Sequence, residues 1–423
     1  MPETTPQPSA VRPAGAAPGT KPVSERTFHP TRKRWVLIVL TLILFSTSMD
    51  SIVLMPLGPK LMALFEINPK QFSFLVSAYS LAAGIFGFVG SLIFDRVDRK
   101  VSLIGSYLGF LIGTFFCAYA PTYPVLLGAR ALSGAFAGLL SGICYAIVGD
   151  LFPISERGLA TGKLLTAYSL ASIIGVPFGL YVSNSIGWHA TFGSIVVLGT
   201  FAIILAIQVV PKGSWNINLH PRGFFSGITE NFRDRNARFA LLTTLMMVQS
   251  QFVVIPFISA YLVSNAGFPA SHLPDVYLLG GLSTVVSGIL MGKLCDRYGA
   301  RLLFGVTGLW FLIPVFFVTR LSNATIAITL ALTTLIFILS NFRSVPAVTI
   351  ISSSIPAERR GSFMSLNTCL HQLGAASATF AGGWLIEEGH AGSAMVGFAN
   401  TAYLSIAFGI LAYLFGKRVR MVS

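Results

Sequence analysis

Charge is what this 423-residue chain has least of: Asp, Glu, Lys and Arg make up 10% of it, against roughly a quarter in soluble domains. Acid is scarcer still, with 15 acidic residues against 29 basic ones and a formal charge of +14. The basic residues are scattered through short connections and form no surface for a duplex, so no nucleic-acid partner is expected. Cysteine is sparse too. Cys117, Cys144, Cys295 and Cys369 have no metal-ligand spacing, which excludes a zinc site and a disulfide framework and leaves them as packing residues. No phosphate loop is present either, because Gly158-Leu159-Ala160-Thr161-Gly162-Lys163 lacks the required spacing and the Ser or Thr after the lysine. No connection is long enough for a catalytic domain. The chain is expected to be neither an enzyme nor an ATPase, and to need no cofactor and no metal.

What is there is apolar: 54% of residues are hydrophobic and the mean hydropathy is +0.74. Crossing a bilayer as helix takes about 20 apolar residues, and lipid offers an open backbone no partner. Runs of that kind lie at 35–57, 71–94, 101–120, 123–148, 160–184, 190–210, 239–263, 275–295, 301–320, 325–351, 362–386 and 393–416. The expected class is therefore an all-α integral membrane protein with twelve transmembrane helices. Residues 1–34, rich in Pro, Ala, Gly and Thr, read as a disordered tail without the pattern of a cleavable signal.

Orientation follows from Lys and Arg. On the side of the two termini lie 24 of them, in the tails and at the connections, and on the opposite side only Lys60, Lys70 and Arg320. That asymmetry predicts both termini in the cytoplasm and a multi-pass protein of the inner or plasma membrane.

The chain also repeats itself. Asp95-Arg96 with Arg99 and Lys100 separates the second and third runs, and Asp296-Arg297 with Arg301 does the same 201 residues later. Pro153-Ile154-Ser155-Glu156-Arg157-Gly158 and Pro356-Ala357-Glu358-Arg359-Arg360-Gly361 recur at an offset of 203. Two marks at nearly one offset predict two pseudo-symmetric six-helix bundles, 35–210 and 239–416. A cytoplasmic linker, 211–238, joins them, and a short tail, 417–423, follows. Parallel six-span repeats are a transporter architecture, with the substrate held between them.

At this point the chain resembles the major facilitator superfamily, and within it the twelve-span drug/proton antiporters that include sugar-efflux permeases. Gly90-Ser91-Leu92-Ile93-Phe94-Asp95-Arg96-Val97-Asp98-Arg99-Lys100 is similar to the family's hinge signature, with Ser91 and Asp98 in place of glycines. Arg130-Ala131-Leu132-Ser133-Gly134 resembles its fourth-span motif. Gly175-Val176-Pro177-Phe178-Gly179 resembles the antiporter element of the fifth span, and Asp50 with Pro56 resembles the acidic first-span motif. The resemblance implies a monomeric, proton-coupled exporter of a small amphipathic solute, a drug or sugar, whose partners are that solute, protons and the bilayer. A symporter or uniporter of an anionic metabolite, or a non-transporting sensor on the same scaffold, remains as the alternative.

Three groups of residues are candidates for the work. Counting along the helices puts Asp50 ~22 Å from the termini side and Arg130 ~10 Å from the far side, at overlapping depth. Ionisable groups inside spans are costly and face a cavity or a partner. Asp50 would carry the coupling proton with Arg130 as its counter-charge; a permanent structural pair, or Asp50 in outer water, is the alternative. In the second half Gln249, Gln251, Asn341, Arg343, His371 and Gln372 form a polar level and are candidates for substrate binding, with interhelical hydrogen bonding as the alternative. Asp95 and Asp296 are expected to latch onto the N-termini of spans 11 and 5 when the inner side is closed. Arg96, Arg99, Lys100, Arg297 and Arg301 would make ion pairs or touch lipid phosphates. Gly175, Pro177 and Gly179 should bend the fifth span.

Overall fold

A chain of long apolar runs satisfies its backbone within each run, and every regular element among the described residues is a helix. The structure is a computed structural model and describes residues 30–93, 97–211, 229–356, 359–387 and 394–422. The first six membrane-length helices are α1 (Pro30–Leu64), α2 (Pro69–Ile93), α3 (Arg99–Ala118), α4 (Tyr123–Leu151), α5 and α6 (Trp188–Val209). Helix α5 joins Ile154–Leu170 to Val176–Ser185 through a π turn at Ala171–Gly175. The second six are α7 (Arg235–Phe252 and Ile255–Ser264), α8 (Leu273–Tyr298), α9 (Ala300–Thr307 and Leu312–Val318), α10 (Ile326–Ser352), α11 (Arg360–Leu385) and α12 (Phe398–Arg418). Eleven of the twelve are long and apolar enough to cross a membrane. The exception, α11, has the length at 26 residues but carries Asn367, His371 and Gln372.

Each run expected from the sequence falls on one of these helices; the boundaries differ where caps decide them. Helix α1 begins at Pro30, inside the expected tail, because proline suits a first helical turn and Arg32 Nε anchors that turn on Val209 O at 3.3 Å. Helix α7 begins at Arg235, ahead of the expected 239, because the Asp234 side chain caps it at the amides of Asn236 and Ala237. Residues 1–29 and 212–228, most of the expected tail and linker, lie outside the described residues, as do Asp95 and Arg96.

Small residues set how closely the helices pack. A Cβ on Gly134 would lie 2.3 Å from Tyr79 O, and one on Gly138 2.2 Å from Ala83 O, so α4 lies against the backbone of α2. Apolar side chains such as Leu108, Ile112 and Phe115 on α3 and Val286 and Ile289 on α8 are exposed, as lipid-facing positions are.

Buried apolar side chains form two clusters, and their division shows how the halves meet. One runs from the first six helices into the far-side ends of the second six, taking in Val253, Phe257, Leu262 and Val315. The other is confined to the termini-side ends of the second half, with Met291, Phe304, Ile351 and Phe363. The halves thus share a core away from the termini. The seam of α2 and α11 belongs to it, with Lys70 Nζ 3.5 Å from the Trp384 ring centroid and Ser77 Oγ donating to Ala376 O at 3.0 Å.

Candidate functional site

Asp50 and Arg130 meet inside the first half. Arg130 Nη1 donates to Asp50 Oδ2 at 2.8 Å and to the Asp50 carbonyl at 3.2 Å, and the two side chains are 0% and 1% exposed. The guanidinium lies over the Tyr79 ring, 4.3 Å from its centroid, and Tyr79 Oη donates to Thr47 O on α1 at 3.1 Å. The close approach of α4 to α2 at Gly134, one turn along from Arg130, brings these groups together. An ion pair removed from water is held strongly only while both charges persist, because losing one strands the other. Asp50 Oδ1 and Arg130 Nε are buried and make no hydrogen bond among the described residues. The arrangement is therefore a pair with spare capacity on each side. Tyr79 was not singled out in the sequence, where a tyrosine in an apolar run looks like any other packing residue.

The polar residues of the second half do not converge on one point. Gln249 Nε2 donates to Ser377 Oγ at 3.2 Å, and Gln251 Nε2 donates to Ser340 Oγ. Asn341 Nδ2 donates to Thr284 O at 2.7 Å and Ser287 Oγ at 3.1 Å. The His371 ring lies 6.2 Å from that of Phe252, and Gln372 sits at the seam opposite Gly84. These contacts tie α7 to α10 and α11, and α10 to α8. Arg343 is enclosed by its own bundle at 1% exposure: Nη1 donates to Ser250 Oγ at 3.1 Å, Nη2 to Met247 O at 3.2 Å, and its guanidinium faces Phe311. Its depth was legible in the sequence. The direction it points was not, because that depends on how α10 is rotated in the bundle.

The charged hinges differ from one another. Asp98 caps α3, accepting from the amides of Lys100 and Val101, which gives its glycine-replacing position a structural role. Arg99 Nε pairs with Asp150 Oδ2 at 3.2 Å, a carboxylate at the end of α4 that the sequence reading passed over. Lys100 Nζ donates to the carbonyls of Ile207 and Val210 at the C-terminus of α6. In the second hinge Arg297 lies over Tyr298, and Arg301 Nη2 donates to Lys417 O at 3.2 Å. Asp296 is exposed and in no hydrogen bond or ion pair with the described residues.

The π turn of α5 precedes Pro177 for a local reason. Proline has no N–H to continue the ladder, and the Val176 amide reaches back to Ala171 O, five residues away. Gly175 and Gly179 then let α5 lie against α1: added Cβ atoms would come 3.0 Å from Met49 Cγ and 2.8 Å from Val53 Cγ2.

Comparison with known proteins agrees with this architecture. The sequence matches the model of the Major Facilitator Superfamily over residues 40–376 and 240–421. It is 23% identical over 369 residues to the Uncharacterized MFS-type transporter YceJ of Bacillus subtilis (strain 168), covering 86% of this chain and 92% of that one. It is 24% identical over 230 residues to a protein of Mannheimia succiniciproducens named Probable sugar efflux transporter, covering 54% and 57% of the two chains. The crystal structure of a D-xylose-proton symporter superposes with a TM-score of 0.74 at 16% identity, over 92% of this chain and 100% of that one.

Proposed function

Because the chain belongs to the Major Facilitator Superfamily, and so is a multi-pass membrane transporter and not an enzyme, we propose that it is a proton-coupled antiporter exporting a small amphipathic solute, drug-like or sugar-like. The observation that carries this reading is the Asp50–Arg130 pair, 2.8 Å apart and sealed from solvent between α1 and α4. A proton taken up by that carboxylate, at the unbonded Oδ1, removes the negative charge that holds Arg130. Protonation, or a solute that competes for the guanidinium, frees α1 and α4 to move against each other. The spare Asp50 Oδ1 and Arg130 Nε are the atoms such a ligand would meet first. A transporter that trades the two ligands at one pair exchanges them instead of carrying them together.

The rest of the cycle is read as alternating access. Both termini lie in the cytoplasm of a monomer in the inner membrane, as the excess of Lys and Arg on their side supports. The core shared by the halves on the far side then belongs to a state closed outward. The free Asp296 fits that state: it docks at the start of α5, and Asp95 at the start of α11, when the inner side closes. The π turn before Pro177 lets α5 bend during the change. Gln249, Gln251, Asn341, His371 and Gln372 present polar groups to the solute, and Arg343 stands behind them as a buried anchor of α7 and α10.

A second reading is symport of a sugar or anion with protons. The solved D-xylose-proton symporter of the same fold favours it. Proteoliposomes carrying an inside-acid gradient separate the two. An antiporter accumulates solute as protons leave, whereas a symporter expels solute in step with them. Asp50→Asn should abolish gradient-driven accumulation while counterflow of solute persists; undiminished accumulation by that variant would refute the role of Asp50.

A further inference from the structure

At the termini-side ends of α7, α9 and α12 lies a cleft of about 520 Å³, faced by Arg235, Arg301, Lys417, Arg418 and Arg420, with Phe239 beside them. Among the described residues that face it the one carboxylate is already committed. Asp234 Oδ2 holds Arg359 Nη2 at 3.2 Å, and Asp234 Oδ1 accepts from the amides of Asn236 and Ala237. Among the described residues, none of the five cations has a carboxylate within ion-pair distance. Five like charges around one volume repel unless an anion sits among them.

The cleft is built, not a loose end of chain. The Arg420 amide donates to Asn236 Oδ1 at 2.7 Å, and Asn236 Nδ2 donates back to Arg420 O at 2.8 Å. Two residues on, the Val422 amide donates to Ser353 O at 2.7 Å, so the segment after α12 is strapped across α7 and α10. Arg301 Nη2 reaches Lys417 O, and the guanidinium groups of Arg235 and Arg418 stand 5.7 and 5.6 Å from the Phe239 ring centroid. Three helices and the strapped tail thus hold the cations around one space. The hinge cations of the first half are spent internally, Arg99 on Asp150 and Lys100 on the end of α6.

We propose that this cleft binds the phosphodiester headgroup of an anionic phospholipid. Planar guanidinium groups match phosphate oxygens two at a time, which ordinary surface lysines do not. Exposed Phe232, Met421 and Val422 lie within three residues of Arg235 or Arg420 in the chain and offer apolar surface for an acyl chain. Basic pockets between membrane helices take lipid headgroups for the same combination of reasons. This reading does not depend on the direction of transport or on Asp50.

The test uses the purified full-length protein in detergent, titrated with phosphatidylglycerol, phosphatidylcholine or sodium phosphate and followed by thermal unfolding and native mass spectrometry. Phosphatidylglycerol should raise the unfolding temperature and stay bound in the gas phase. The pair of substitutions Arg235→Gln and Arg418→Gln should weaken that binding about thirtyfold while leaving lipid-free unfolding unchanged. Replacing the same two residues with lysine keeps the charge but not the paired donors, and should restore only part of it. Equal stabilisation by phosphatidylcholine, the same shift from inorganic phosphate alone, or unchanged affinity in the glutamine variant would each overturn the proposal.

Discussion

Each half places one arginine in its fourth helix and gives it an aromatic face: Arg130 lies 4.3 Å from the Tyr79 ring centroid and Arg343 4.2 Å from that of Phe311. Their remaining company differs. Arg130 holds the carboxylate of Asp50, whereas Arg343 holds a hydroxyl and a carbonyl. A carboxylate can gain a proton and change its charge, and a serine cannot. Among the described residues the repeated scaffold therefore carries two stacked arginines, and only the first of them holds a titratable partner; in the proposed cycle that pair is the switch.

The comparison breaks hardest at the arginines themselves. Arg130→Met would strand Asp50 as an unpaired buried carboxylate and should cost about 3–5 kcal/mol near neutral pH. Arg343→Met strands no charge, and its stability should stay within about 1 kcal/mol of the parent. Denaturant unfolding of the two variants in one detergent checks this, and equal losses would mean that Asp50 adds nothing to the first site. Gly134→Ala sets a methyl against the backbone of α2 and should cost about 1–3 kcal/mol by parting α4 from α2. The same experiment reads it, and accessibility labelling at Tyr79 should rise. At the hinges the effect is smallest. Arg99→Gln should cost about 1 kcal/mol by releasing Asp150, while Arg301→Gln should fall within about 0.5 kcal/mol in lipid-free detergent.

Eleven helices were legible because their runs are long and oily, a pattern no neighbour can disguise, and α11 was legible by its length despite Asn367, His371 and Gln372. Asp50 and Arg130 were legible because a charge inside such a run stands out, and helix length alone put them at one depth. Their contact also needed α4 to sit close to α2, and Gly134 and Gly138 are the traces of that in the sequence. Tyr79 and Asp150 escaped notice for opposite reasons: one resembles its apolar neighbours, the other resembles a loop charge. Arg343 could be placed along its helix but not around it. A residue count fixes height, and only packing against α7 and α9 fixes azimuth.

The π turn in α5 has a geometric price that runs the length of the helix. One residue more than an α-helix would use is taken up between Ala171 and Gly175. Relative to Val176–Ser185, the whole segment Ile154–Leu170 is therefore turned by roughly 100° from where an unbroken α-helix would set it. A helical wheel drawn straight through α5 assigns the wrong face to one of the two segments. Removing a single residue such as Ser172 would take out that extra residue and let the ladder close as unbroken α-helix with Tyr168 and Leu164 on the faces they hold now, so a deletion that looks harsh in sequence would leave both segments aimed as they are.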